Sequence, residues 1–287
     1  MPDLDIASLI ACNKCFGNLA QEGLHVRCLK CQSVFDTKDG IFYFTKAKHS
    51  PSIRQNARDK KRWTLWRRQN FEYLQKKLKS VKSGSLVLDV GAGQSHFKEA
   101  FDSYKYVGVD FCPYEDVSVV ADIITKLPFR ENTFDLIVLS NVLEHVPEPL
   151  VLLKECFRVL KSAGHIIILV PFVIRLHQSP YDFLRYTHYM LDYLLERAGF
   201  VKIEIQKIGS VFEILDLLVT SSFSVYLSNL RQKISNRYMR AVPQIMLLAC
   251  RKIVVFLLFI SKKLFHDSMD IPREERLPHG YGVVAVK

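Results

Sequence analysis

The first chemistry this chain offers is a carboxylate followed by two glycines: Asp89 lies in the apolar run Leu86 to Val90, and Gly91, Ala92, Gly93, Gln94 and Ser95 follow. Glycine at 91 and 93 lets the backbone turn sharply and approach a ligand where any Cβ would intrude. A second run, Tyr106 to Asp110, ends in an acid placed where a carboxylate can accept both hydroxyls of a ribose. Asp122 and Ile123 follow a third apolar run, Val117 to Val120, and Ser140-Asn141 follow a fourth, Phe134 to Leu139. Polar groups at four successive strand ends would gather at one edge of a parallel sheet, which is where open α/β sheets bind ligands.

A second set of residues has metal-ligand spacing. Cys12 and Cys15 form one Cys-x-x-Cys pair, Cys28 and Cys31 another, and twelve residues separate them. Two such pairs can close a tetrahedral, structural zinc site, which in so small a piece would replace a hydrophobic core too small to hold the fold. The alternatives are a pair of disulfides or four unrelated thiols. Met1 to Ile10 carries Asp3 and Asp5 and has neither a basic start nor an apolar run, so no secretory signal is read and reduced thiols are expected. His25 is surplus to the four sulfurs.

The elements that must position these residues follow from periodicity. Leu86 to Val90 reads as a central parallel strand buried on both faces. Crossover helices are expected at Phe97 to Tyr104 and Pro147 to Leu160, and a further helix at Tyr189 to Ala198, ended by Gly199. Later strands are expected at His165 to Val170 and Val201 to Ile208, with the last at Tyr281 to Val286. Between them, Arg175 to Thr187 has the composition of a loop at the ligand edge, and its Asp182, Arg185 and Tyr186 are candidates for the rim of a substrate pocket. Ser33 to Phe44 reads as two short strands about a turn.

Residues 88–93, Leu-Asp-Val-Gly-Ala-Gly, with Asp110, the pair Asp122-Ile123, the run Phe134 to Val146 and the turn Arg158 to His165, resemble the class I S-adenosylmethionine-dependent methyltransferases of the small-molecule type. The likeness covers roughly residues 84–209. It implies an α/β fold, a Rossmann-like seven-stranded sheet with helices on both faces. It also implies S-adenosyl-L-methionine as cofactor, held by Asp89, Gly91, Gly93, Ser95, Asp110, Asp122, Ile123 and Asn141. Ser95 departs from the third glycine of many members. A dehydrogenase fits less well, since Asp89 would meet a pyrophosphate with like charge, whereas it can pair with the sulfonium cofactor's amino group. The resemblance places His145 where the methyl group arrives, so His145 or His177 is the expected catalytic base for a hydroxyl acceptor. No Asn/Asp-Pro-Pro-Tyr run follows the fourth strand, which argues against exocyclic amines of bases. A similar His-x-x-Pro-x-Asp-x-x-Arg-Tyr-Thr run, here His177 to Thr187, occurs in bacterial members. Cys12 to Phe44 resembles the small zinc ribbons that accompany such enzymes, with Cys12, Cys15, Cys28 and Cys31 as zinc ligands.

The expected organisation is a zinc ribbon at 1–46, a basic helical linker at 47–83, the methyltransferase domain at 84–209, an apolar helical insertion at 210–279 and the domain's last strand at 280–287. The chain has 287 residues, 40 basic against 29 acidic, for a formal charge of +11. At 49% hydrophobic and 24% charged it is a globular chain, not a disordered one. The surplus suggests an anionic partner and is concentrated in Ser52 to Lys82, where eleven cations face Asp59 and Glu72 alone. Trp63, Trp66, Phe71, Leu74 and Leu78 recur there at helical spacing, so a helix would bury them and turn its cations outward. In the insertion, Arg251 and Lys252 cut the run Ile245 to Ile260 short of a membrane span. With Gln244, Lys262 and Lys263 they fall on one helical face, the pattern of a helix lying in a membrane interface, although a buried helix or a dimer seam reads alike. Two acceptor classes follow: a small-molecule or lipid-linked acceptor (quinone or glycan type) at an anionic membrane surface on the inner face, or RNA held by the ribbon and basic helix. A non-enzymatic cofactor-binding role is the third reading. A cytoplasmic location is expected.

Overall fold

The computed structural model describes residues 4–46, 58–219, 222, 226, 249–250, 252–257, 260 and 277–287. Two compact units divide the chain, one formed by residues 1–172, 176–206 and 281–287, the other by 173–175 and 207–280.

The first unit opens with a one-turn helix, α1 (Ile6–Leu9), capped by the Asp5 carboxylate, which accepts from Ala7 N at 3.1 Å. Four short antiparallel strands follow, β1 (Leu19–Glu22), β2 (His25–Cys28), β3 (Val34–Lys38) and β4 (Ile41–Tyr43). Asp39 and Gly40 both take positive φ, 52° and 76°, in the two-residue connection from β3 to β4, the geometry that an Asp-Gly hairpin turn demands. The basic segment then yields α2 (Leu65–Leu78), begun by the Thr64 hydroxyl accepting from Arg67 N at 3.2 Å and ended with Lys76 and Lys77 against its negative pole. Residues 47–57, which belong to the expected basic linker, lie outside the described residues. Trp63, Trp66, Phe71, Leu74 and Leu78 are all buried as their spacing requires, while Lys61, Arg68, Lys76 and Lys79 face solvent.

The main sheet is built from β5 (Leu86–Val90), β6 (Lys105–Asp110), β7 (Val117–Val120), β8 (Phe134–Ser140), β9 (Leu160–Pro171), β10 (Val201–Ile208) and β11 (Gly280–Val286). The strand order is β1-β2-β3-β4-β7-β6-β5-β8-β9-β11-β10. Strands β7, β6, β5, β8 and β9 are mutually parallel, so their carboxyl ends share one edge. The order reverses between β5 and β8, and at such a reversal the diverging crossovers open a crevice. Val87, Leu88 and Val90 of β5 are completely buried, as a central strand with cover on both faces must be.

α3 (Pro149–Val159) starts with proline in its first turn, where the missing N–H costs nothing, and buries Leu152, Leu153, Cys156 and Val159. α4 (His188–Ala198) is capped by the Thr187 hydroxyl and stopped at Gly199, whose φ of 104° only glycine adopts freely. Two elements differ from expectation. The first crossover is a short 3-10 turn, Lys98–Phe101, because Ser95 already sits at φ 49° and β6 begins at Lys105, leaving too few residues for an α-helix. β9 starts at Leu160 rather than His165, since a register shift against β8 absorbs the residues between, with Ala163 at φ 59°.

In the second unit, residues 211–219 are helical, and Ser210 N donates to Glu213 Oε2 at 2.8 Å at the start of that helix. Among the described residues no helix is long and apolar enough to cross a membrane. Of the cationic face expected in the insertion, Gln244, Arg251, Lys262 and Lys263 lie outside the described residues, while Lys252 is helical and exposed. Its neighbours Ile253, Phe256 and Leu257 are helical and more than half exposed, at 58%, 60% and 55%.

Candidate active site

The glycine turn after β5 lies over β6: Gly91 N and Ala92 N both donate to Val109 O, at 2.8 and 3.2 Å. Gly91 has φ 73°, and a Cβ there would stand 2.6 Å from Val142 Cγ2, so glycine is required on both counts. Gly93 N donates to Asp110 Oδ2 at 2.9 Å and Cys112 N to Asp110 Oδ1 at 3.0 Å, which fixes that carboxylate at the end of β6. Asp89 is 8% exposed and accepts from the Tyr106 hydroxyl at 2.9 Å. Burial pushes Asp89 up to about 7, opposed by the Tyr106 bond and reinforced by nearby Asp110. Ser95 is buried beside the Tyr106 hydroxyl. A buried acid lacking a cation and a second fixed acid one strand away form a set that suits a cationic, hydroxyl-bearing nucleoside such as S-adenosylmethionine.

Two further strand ends complete this edge. Asp122 follows β7 and accepts from Ile124 N at 3.1 Å, with Ile123 buried beside it. Asn141 follows β8 at φ 56°, and its side-chain oxygen accepts from Trp66 Nε1 at 2.7 Å and Asn70 Nδ2 at 3.3 Å. Helix α2 thus reaches the ligand edge. Its periodicity marked Trp66 as a packing residue, and nothing local to the sequence pairs residues 66 and 70 with 141.

Past Asn141 the chain enters a 3-10 turn, Leu143–His145, and the run His177 to Thr187 is tied down upon it. Phe183 N and Leu184 N donate to Glu144 O at 2.9 and 3.2 Å, Tyr186 Oη donates to Leu143 O at 2.8 Å, and His145 Nδ1 donates to Tyr181 O at 2.6 Å. A carbonyl can only accept, so Nδ1 carries the proton and Nε2 presents its lone pair. Burial lowers the His145 pKa, favouring this neutral form. The Glu144 side chain is fully buried and both its oxygens lack hydrogen-bond partners. Burial pushes it up to about 8. His145 Nε2 and His177 Nε2 lie 3.7 and 3.9 Å from Glu144 Oε1, and the two imidazoles meet edge to face at 4.8 Å.

Asp182 accepts from both Arg185 nitrogens, at 2.6 and 2.8 Å, and from His177 N at 2.9 Å. The guanidinium holds its carboxyl well below the usual carboxylate range. Asp182 and Arg185 therefore stand beside His177, while Tyr186, 2% exposed, acts as a strut that fixes the loop. The sequence picked out His145, His177, Asp182, Arg185 and Tyr186, and the fold gathers all five. Glu144 entered only as His145's neighbour in a motif, because burial without a partner is a property of the folded site alone.

The four N-terminal cysteines also converge. Cys12 and Cys31 Sγ are 3.6 Å apart and Cys15 and Cys28 Sγ 3.5 Å, with all four sulfurs within 4.8 Å of one another. These are thiols and not disulfides, the separations far exceeding the ~2.05 Å of an S–S bond. Four ligands at ~2.3 Å about a tetrahedral centre would lie roughly 3.8 Å apart. Gly17 leaves the room they need, since a Cβ there would fall 2.9 Å from Cys28 Sγ.

Residues 88–168 match the sequence family described as "Methyltransferase domain". The chain carries a class I, S-adenosylmethionine-dependent methyltransferase domain. An uncharacterized methyltransferase of Mycobacterium leprae is 34% identical over 98 residues, covering 30% of this chain and 36% of that protein. A demethylmenaquinone methyltransferase of Anoxybacillus flavithermus is 28% identical over 148 residues, covering 44% of this chain and 60% of that protein. The chain thus spans between about a third and three fifths of these curated relatives. A solved methyltransferase from Archaeoglobus fulgidus aligns over 77% of this chain and 94% of its own, at 20% identity and a TM-score of 0.48.

Proposed function

We propose that the protein transfers a methyl group from S-adenosylmethionine to a hydroxyl of a quinone-type, lipid-linked or glycan acceptor at a membrane surface. The observation that carries this reading is the meeting at one sheet edge of the acidic strand ends, Asp89 and Asp110, with the buried Glu144–His145–His177 group. When bound, the sulfonium supplies an electrophilic methyl carbon and a neutral thioether leaving group. Asp89 would hold the cofactor's ammonium and Asp110 its ribose hydroxyls, while Gly91 and Gly93 keep side chains clear of it. Asn141, fixed by Trp66 and Asn70, would close the adjoining wall.

An acceptor hydroxyl lying against His145 or His177 would give up its proton to an imidazole nitrogen as its oxygen takes the methyl group and the thioether leaves. Such alignment and proton removal are what the protein must add to an in-line displacement. Asp182 and Arg185 orient His177, and Tyr186 keeps the loop in place. The likeness to demethylmenaquinone methyltransferases supports a quinone among the acceptor classes, and the exposed Ile253, Phe256 and Leu257 support a membrane surface. We assign zinc to the four cysteines, where it would hold the ribbon together.

The test uses radiolabelled S-adenosylmethionine with the full chain and cell extracts divided into lipid, glycan and RNA fractions. Label in the lipid or glycan fraction, together with flotation on anionic vesicles that is lost when residues 210–278 are deleted, is the expected result. Label confined to RNA would overturn the acceptor assignment.

A further inference from the structure

The Glu144 carboxylate is the one buried acid of this site that neither a donor nor a cation satisfies. Its two oxygens are wholly inaccessible and make no hydrogen bond. A buried carboxyl left without a donor or a cation is destabilising in a polypeptide interior, more so when charged. Two imidazole nitrogens approach it, His145 Nε2 at 3.7 Å and His177 Nε2 at 3.9 Å from Oε1. Those separations are too long for hydrogen bonds. They are close to the ~3.4 Å that separates two ligand atoms placed ~2.1 Å from a common tetrahedral cation.

The second coordination layer is also present. His145 donates Nδ1–H to Tyr181 O at 2.6 Å, and His177 Nδ1 lies 3.2 Å from the buried Asp182 carboxylate. A backbone carbonyl or a carboxylate behind each imidazole is the usual way in which a metal-binding histidine has its tautomer and orientation set. Phe183 N and Leu184 N, donating to Glu144 O, hold the loop that carries His177 against the turn that carries Glu144 and His145.

We propose that Glu144, His145 and His177 form a divalent-cation site, separate from the cysteine cluster, that takes a first-row transition metal such as Zn²⁺, Co²⁺ or Mn²⁺. Two imidazoles and one carboxylate suit these ions better than Mg²⁺ or Ca²⁺, which favour all-oxygen shells. Three protein ligands leave at least one coordination position open. The inference rests on the methyltransferase reading for its use: the open position would receive the acceptor's oxygen and lower its pKa. The hydroxyl is then ionised by the cation's charge, with its proton released to solvent, in place of transfer to a free imidazole.

The experiment titrates Co²⁺ into the full chain after its cysteine site has been filled with a single equivalent of zinc and weakly held zinc has been removed with a mild chelator; Co²⁺ displaces the thiolate-bound zinc poorly because zinc binds more tightly. Bound Co²⁺ is read by its d–d absorption and by metal analysis after desalting. One equivalent is expected, without sulfur charge-transfer bands, and its affinity should fall at least about tenfold in Glu144→Gln and His177→Ala. Glu144→Gln keeps the side chain's shape and His177 lies at the rim of the cluster, so both variants should still bind S-adenosylmethionine in a parallel titration. Failure of the parent to take up Co²⁺, or uptake unchanged in both variants, would overturn the site. If Co²⁺ binds as described and S-adenosylmethionine does not, the metal site stands and the methyltransferase reading fails.

Discussion

Replacing Asp89 by asparagine should make the ligand-free protein more stable at alkaline pH while removing its hold on the cofactor. Asp89 is 8% exposed, and burial raises its pKa from 3.8 to about 7. A carboxyl whose pKa is higher folded than unfolded stabilises the fold when protonated. That contribution is complete below 3.8 and is lost as pH rises through about 7. The whole span corresponds to about 4 kcal/mol, of which roughly 3 kcal/mol falls between pH 5 and pH 8.5. Asparagine retains an oxygen for the Tyr106 hydroxyl, now 2.9 Å from Asp89 Oδ2, and has no charge to desolvate. Other titrating groups are common to both proteins and cancel in the difference. At 2–4 °C per kcal/mol, the variant's melting temperature relative to the parent should rise by roughly 5–10 °C between pH 5 and pH 8.5. Scanning calorimetry across that range, with and without S-adenosylmethionine, measures both halves of the expectation: the parent gains stability from the ligand and the variant does not. Parallel pH profiles, or an equal ligand-induced gain in both proteins, would refute the reasoning.

Gly91→Ala forces a Cβ to within 2.6 Å of Val142 Cγ2 at φ 73°, so a loss of at least about 1–2 kcal/mol from the backbone alone and loss of cofactor affinity are expected by urea denaturation and ligand titration. Trp66→Phe keeps the aromatic packing and removes the 2.7 Å bond to Asn141 Oδ1; stability should fall by about 1 kcal/mol, with weaker S-adenosylmethionine binding in a calorimetric titration. Tyr186→Phe deletes the 2.8 Å bond to Leu143 O, which keeps its bond from Val146 N at 3.2 Å; stability should fall by about 1 kcal/mol, and methyl-transfer rate should drop with it. Cys28→Ser, or prolonged chelation of the parent, should lower metal content by one zinc and open residues 1–46 to limited proteolysis, whereas intact zinc content in the variant would refute the ligand assignment.

Much of this architecture is written locally. The five-residue strand Leu86–Val90 and the eight-residue strand Val201–Ile208 coincide with their apolar or alternating runs, because strand identity depends on residues that are neighbours in sequence. Gly199 stops α4 where a left-handed residue is needed. The cysteine pairs likewise announce their cluster through spacing alone. What could not be read arises from contacts between distant segments. Trp66 looks like any core aromatic until Asn141 accepts its Nε1–H across 75 residues. Glu144 looks like an ordinary surface acid until Phe183 and Leu184 fold a loop over it. The 3-10 turn at Lys98–Phe101 reflects a length constraint, not a propensity, and apolar spacing in Phe97 to Tyr104 carries no information about it.

The N-terminal strands do not form an independent bead. Phe42 and Tyr43 of β4 pair in parallel with Val119 and Val120 of β7, Phe44 N donates to Val120 O at 2.8 Å, and Ile10 bridges to Phe129. A parallel sheet left with an unpaired outer strand is a template for self-association, and here that strand is β7, whose next residues are Ala121, Asp122 and Ile123. Trimming the first 46 residues to obtain a minimal catalytic fragment would therefore strip the flank of the sheet and leave a sticky, insoluble product.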